Sequence, residues 1–475
     1  MRVLLAIYWL LMVGGFAIAQ DSPEDRLSKL EKRVSELEKE NADLKKRVEA
    51  LEKKLGGASA GPVLWQFDLK SDQKGSAHVA DVDVDGDGDG KPEIIFGTYY
   101  GDEHLYCVEA ATGNVRWKHK SDGGPLDASV AVADLDGDGK PEVLSGDSAY
   151  GKLYCLGADG KPKGVFQLPS GTDSPPAVAD LDGDGIVEVL AGSMWQRDGD
   201  GAITCFNGKT RAKVWERRFK GCIQSEPVLA DLNADGVLDA IITTWRGDRK
   251  IHALSGKDGA SLWEFETRGT AKSMGMYHGV AVSGAGDSLT VYAATCEGDV
   301  YALDAGGKQR WHKQLGGYLF APITIADFDG DSRDELALGS TKLHVLNAED
   351  GTEVWSKQLG GSLDRGCAPV DADGDGDLDV LYFVGCSVVA RDGKSGEVTF
   401  TYEAPRKGST YDDISSAPVI ADFDGDGTLD VFFVIGEGTS TDEFKGNHGV
   451  AMAIRLKGKG TGWPTFRGNL RRTGR

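Results

Sequence analysis

The sequence predicts an all-β protein, an eight-bladed β-propeller with a seven-bladed ring as the alternative count, preceded by a short α-helical coiled coil. Three observations carry this reading. An acidic hairpin pattern, Asp-x-Asp-x-Asp closed by Asp or Glu at the ninth position, recurs seven times between short apolar stretches. An aromatic strand motif and a second strand motif of the type LYCVEA each recur eight times. Ahead of them, residues 22–55 space their apolar residues by alternating steps of three and four, which is the seam of paired helices.

In chain order, residues 1–19 read as a secretory signal: Arg2, an apolar run from Val3 to about Phe16, and the small-x-small ending Ala17-Ile18-Ala19. Export to the periplasm or the outside is the expectation. No later segment is apolar enough to span a bilayer. Residues 20–55 form the coiled coil, with Leu27, Leu30, Val34, Leu37, Asn41, Leu44, Val48, Leu51 and Leu55 at a and d. Val at a, Leu at d and a single Asn at a favour two parallel strands. The flanking pairs Arg33 with Glu38, Glu40 with Lys45 and Arg47 with Glu52 attract across that dimer. Residues 56–61 are a Gly/Ala linker, and residues 62–475 hold the repeats, at a period of about 44 to 52 residues.

Within each repeat the aromatic strand places Trp65, Trp117, Phe166, Trp215, Trp263, Trp311, Trp355 and Phe400 at equivalent positions. Because Trp65 precedes the first hairpin and VAMAIRL near residue 452 lacks a following aromatic strand, Trp65 is expected to complete the last blade. A unit of four short strands cannot bury both faces alone, so eight units close into a ring.

The hairpins are ion chemistry. Alternate carboxylates of a tight loop converge on one cation, and glycines such as Gly137 and Gly139 permit the turns. The sets are Asp85, Asp87, Asp89 and Glu93; Asp134, Asp136, Asp138 and Glu142; Asp180, Asp182, Asp184 and Glu188; and Asp231, Asn233, Asp235 and Asp239. Three more are Asp327, Asp329, Asp331 and Glu335; Asp371, Asp373, Asp375 and Asp379; and Asp422, Asp424, Asp426 and Asp430. Hard oxygen donors without His or Cys suit Ca2+, at about seven sites. Asp81 and Asp83 leave the register of the first loop open, and the segment near residues 280–294 keeps only Asp287, so that repeat should lack an ion. The formal charge of -22 argues against nucleic acid as a partner, and seven calcium ions would bring it to about -8. Of the seven cysteines, Cys107, Cys155 and Cys205 occupy one place in three successive repeats and read as buried strand residues.

The DxDGDGxx(D/E) hairpins resemble the FG-GAP or VCBS repeats of integrin-α-type propellers, and the LYALDAxxGxxxW cadence resembles the repeats of quinoprotein-type propellers. Together they cover about residues 62–475, and the ending from Trp463 to Gly474 is similar to a segment of quinoprotein-like exported proteins. The quinoprotein resemblance implies a pyrroloquinoline quinone beside two adjacent cysteines. This chain has no adjacent cysteines, so the resemblance supports the fold and hardly the cofactor. The hairpins also resemble those of calcium-loaded eight-bladed rhamnogalacturonan lyases, without an identifiable catalytic set.

A ligand face is expected opposite the calcium loops, at Tyr99, Tyr150, Trp195, Trp245, Tyr277, His278, Tyr318 and Arg365. Rings beside charges suit a surface glycan or a protein segment. The expected function is a non-catalytic binding or scaffold module displayed as a dimer through residues 22–55. The alternatives are a lyase-like polysaccharide-active enzyme, a quinone-dependent oxidoreductase, or an envelope-assembly scaffold.

Overall fold

Short apolar stretches separated by tight turns form strands, and the strands assort into eight antiparallel sheets, one per repeat. The computed structural model describes residues 61–82, 91–122, 124–194, 199–270, 272–407, 412–438, 446–460 and 462–469, with residues 32–34, 37 and 39. The protein is an eight-bladed β-propeller, and the seven-bladed alternative is set aside by the eight sheets. Two compact units divide the chain, Met1–Gly61 and Pro62–Arg475. In the first, residues 32–34, 37 and 39 are helical and exposed; the secretory signal and the rest of the coiled-coil seam lie outside the described residues.

One blade shows the logic of all. In the second, Ala131–Ala133, Glu142–Gly146, Lys152–Gly157 and Pro162–Gln167 pair in chain order from the axis outwards. Glu142–Gly146 is buried throughout because neighbouring blades cover both its faces, whereas Pro162–Gln167 is largely open to solvent. The core therefore lies between sheets. Phe96 and Tyr106 of the first blade pack against Phe432 and Val434 of the eighth in one such cluster.

The aromatic cadence has a mechanical meaning. Trp215 Nε1 donates to the carbonyl of Gly256 in the next blade at 2.8 Å, and Trp65, Trp117, Trp263, Trp311 and Trp355 each donate to the blade that follows them. Gly259, at φ 67°, lies on the Trp215 ring so closely that a Cβ there would stand 2.7 Å from it. The glycine of the cadence and the tryptophan of the preceding repeat are thus two halves of one inter-blade contact.

The ring closes as expected. Val63–Leu69 pairs antiparallel with His448–Arg455, Trp65 opposite Ala453, and forms the outer strand of the eighth blade. The closure has a second part. Trp463 exchanges both backbone hydrogen bonds with Ile420, at 2.7 and 2.9 Å, and Val79 donates to Pro464 O at 2.7 Å. Residues 463–465 thereby bridge the innermost strands of the eighth and first blades. All seven cysteines are buried and none forms a disulfide, Cys107, Cys155 and Cys205 among them. Among the described residues no helix is long and apolar enough to cross a membrane.

Candidate functional site

Each acidic loop joins the innermost strand of its blade to the second. In the second blade, Asp134 accepts the N–H groups of Gly137 and Gly139 at 2.8 and 2.9 Å, and Asp136 accepts that of Asp138 at 3.1 Å. Glu142 Oε2 accepts the Leu135 N–H at 2.8 Å, which pins the loop across its mouth. The same clamp joins Leu181 to Glu188, Leu232 to Asp239, Phe328 to Glu335, Ala372 to Asp379 and Phe423 to Asp430. Asn233 serves in the fourth blade, accepting the Asp235 N–H at 2.9 Å.

Three of the four predicted carboxylates converge in these loops. Asp134, Asp136 and Glu142 can bring one oxygen each within 4.8 Å of one another, as can Asp180, Asp182 and Glu188; Asp327, Asp329 and Glu335; and Asp371, Asp373 and Asp379. The third aspartate of each loop (Asp138, Asp184, Asp235, Asp331, Asp375, Asp426) has an oxygen on the N–H two residues on. The donor set fits a hard divalent cation. Glu335 Oε1 and Asp327 Oδ1 are buried without a hydrogen-bond partner, and Glu335 is fully covered. Burial first, and neighbouring aspartates with it, raise the closing carboxyls of Glu188 and Glu335 to about 7 and those of Asp239 and Asp379 to about 6. Asp430 is pushed up to about 7 by the same two causes, against the opposing charge of Arg455.

The first loop departs from its expected register. Val82 N donates to Glu93 Oε2 at 2.9 Å, so Asp81, not Asp85, stands where Asp134 stands in the second blade. That loop is longer by four residues than the second, and Asp85, Asp87 and Asp89 lie outside the described residues. The degenerate segment of the fifth blade has Thr290 at the closing position.

At the opposite ends of the innermost strands the chain forms a mouth around the axis. The position seven residues before the first Asp of a loop recurs there as Lys74, Asp127, Asp173, Gln224, Phe320, Asp364 and Ser415, with Tyr277 at the equivalent place in the fifth blade. Lys74 Nζ donates to Ser415 Oγ at 3.0 Å, and Gln224 Nε2 donates to Asp173. Burial raises the Asp127 and Asp173 carboxyls, that of Asp127 further because Asp173 is beside it, while the Arg365 guanidinium opposes both rises. One oxygen of each aspartate is buried without a hydrogen-bond partner.

Rings flank this polar arc. Tyr277 packs on Phe320 at 4.2 Å between centroids and edge-on to Trp245 at 5.2 Å, and Tyr318 stacks on Phe320 at 5.5 Å. The Arg246 guanidinium lies over the Trp245 ring at 4.5 Å, and Tyr99 meets Tyr100 edge-on at 5.0 Å. Tyr150 and Tyr318 are exposed, at 57% and 42%. Tyr99, Tyr277 and Arg365 surround Asp127 and Asp173 closely enough to interact electrostatically with them. Trp195 lies outside the described residues. His278 is not on the open surface. Its Nδ1 stands 3.6 Å from Glu226, its Nε2 3.3 Å from the Asp364 carbonyl, and burial lowers its pKa.

The axis beneath the mouth is filled by residues 466 and 467. Phe466 and Arg467 are buried, and Arg467 pairs with the fully buried Glu226 at 3.3 Å and donates to Val280 O. Burial raises the Glu226 carboxyl, but Arg467 and then His278 overcome it and take it down to about 2. The cavity left between Asp127, Asp173, Tyr277, Arg365 and Phe466 is about 10 Å3, room for about one water. A planar quinone does not fit in that space.

The sequence profile of the outer membrane protein assembly factor BamB family matches residues 101–318 and 247–460. No curated protein matches the chain. Among solved structures, the quinohemoprotein alcohol dehydrogenase ADHIIG of Pseudomonas putida superposes with a TM-score of 0.62 at 13% identity, over 84% of this chain and 76% of that one. A europium-containing methanol dehydrogenase gives 0.62 at 12%, over 82% and 93%. Sqt1 of Saccharomyces cerevisiae gives 0.58 at 14%, over 84% and 99%. Identities this low establish a shared fold alone.

Proposed function

We propose that this chain, which belongs to the outer membrane protein assembly factor BamB family, is an exported, non-catalytic scaffold that holds an envelope protein on its mouth. One observation carries the proposal: exposed rings and paired charges collect on the face opposite the acidic loops, over an axis sealed by Phe466 and Arg467. A sealed axis with a wide rim of Tyr150, Trp245, Tyr277 and Tyr318 suits a contact surface for another protein.

The acidic loops hold Ca2+ on the other face, where it neutralises carboxylates that would otherwise repel and so fixes the hairpins between blades. Residues 1–19 direct export, and residues 22–55 pair two chains, so that two propellers engage a surface presenting two copies of the partner.

A photo-crosslinking residue at Tyr318, in cells that make the protein, is expected to trap one or a few envelope proteins. The same residue at Val214, exposed on an outer strand, is the control and should trap none of them. Equal trapping at both sites, or adducts at neither, would remove the mouth from the account.

A further inference from the structure

Arg116, Lys163, Arg310 and Arg455 divide the acidic loops into two kinds. Lys163, on the fourth strand of the second blade, places its ammonium on Glu142, 3.4 Å from Asp136 and 3.6 Å from Asp138. In the eighth blade Arg455 contacts Asp424, lies 3.2 Å from Asp426 and stands 3.8 Å from Asp430. In the fifth blade, where the carboxylates are missing, Arg310 Nη1 donates to Thr290 Oγ1 at 2.9 Å and Nη2 to the carbonyls of Asp287 and Leu289 at 3.0 and 3.2 Å. A fixed cation thus stands where the other loops gather oxygens. Register makes the comparison direct: Arg116, Lys163 and Arg310 stand one residue before the positions paired with Cys107, Cys155 and Ala302, and Arg116 pairs with Glu93, which closes the first loop. In the third, fourth and sixth blades that position is Val214, Leu262 or Val354, and in the seventh it is Thr399, which donates to Asp379 at 2.9 Å. Among the described residues no side-chain cation lies within ion-pair distance of the fully buried Glu335, whose Oε1 has no hydrogen-bond partner, and Arg333 of the same loop pairs with the exposed Asp331 and Glu349.

We infer that these built-in cations sort the loops by calcium demand: a tight class in the third, fourth, sixth and seventh blades, and a weak class in the first, second and eighth, where calcium must displace Arg116, Lys163 or Arg455. The inference rests on the proposal that the loops hold calcium, and deepens it. A divalent ion entering the second loop meets a positive charge at ligand distance and must break an ion pair to bind. In the third loop it meets only oxygens and the aliphatic Val214. The ring then keeps four sites filled when calcium is scarce and gains the others as it rises.

Equilibrium dialysis of the full chain, with bound calcium counted at about 10 µM and at about 5 mM free ion, separates the classes. About four ions are expected at the lower concentration and about three more at the higher. Lys163→Met should tighten one weak site by about tenfold or more and raise the lower count by one. Val214→Lys, an exposed change that leaves the fold intact, should lower it by one. A single class of sites, or counts unmoved in both variants, would overturn the sorting and leave the calcium proposal standing. No bound calcium at either concentration would overturn both.

Discussion

Deleting residues 62–69 is expected to abolish the monomeric folded ring, and Trp65→Ala alone to cost about 3–5 kcal/mol. Trp65 is buried between Phe67 and Phe432, at 6.0 Å from each, and its Nε1 donates to Ala110 O of the first blade at 2.7 Å. It holds the eighth blade to the first, in the one sheet built from both ends of the chain. Removing Val63–Leu69 leaves His448–Arg455, a mostly buried strand, as a bare edge with unpaired backbone groups, which templates aggregation. Urea denaturation with light scattering checks both variants. Trp65→Phe keeps the ring and loses the hydrogen bond, so a smaller loss, of about 1 kcal/mol, is expected.

Arg467→Met is expected to destabilise the ring by about 3–5 kcal/mol at neutral pH, because it leaves the fully covered Glu226 charged and without its principal partner. Replacing both, as Arg467→Met with Glu226→Leu, should recover most of that loss. The pH dependence has a definite sign. The folded-state pKa of Glu226 is lowered to about 2, below the unfolded value of 4.5, so its contribution is present above about 4.5 and is lost as pH falls toward 2. Without Arg467, burial dominates and the same carboxyl rises instead. The gap between wild type and Arg467→Met should therefore narrow in acid; a gap that stays constant from neutral pH to about 3 would mean that the plug acts by packing alone.

The elements that repeat were legible in the sequence. The acidic hairpins and the eightfold aromatic position follow from local patterning, and the place of Trp65 follows from counting strands, because every blade but the eighth is built from consecutive residues. The eight sheets bear that out. The course of the last residues was not legible, since Arg467 meets Glu226 from the far side of the ring, and nothing local at WPTFRG specifies that contact. The mouth was partly legible. Tyr318 and Arg365 stand out as unusual residues ahead of innermost strands, whereas Asp127 and Asp173 are ordinary aspartates that become notable only through burial beside each other. Their signal was present as the position seven before each loop's first Asp, which also places that Asp at Asp81 in the first blade. Whether a loop carries its own cation depends on cross-strand register, as for Lys163 and Glu142, and register follows from the sheet rather than from spacing along the chain.

The most direct test of a calcium-built ring is the melting temperature of the purified chain in saturating calcium and in excess chelator, with bound metal counted in the same samples. Each site adds about 2.7 kcal/mol when calcium stands at a hundredfold over its Kd, so several sites together should shift melting by about 10 °C or more. The account predicts about seven ions per chain in calcium and a fall of that size in chelator. An unchanged melting temperature with no bound calcium would contradict it, and the acidic loops would then be turns held by their own backbone hydrogen bonds.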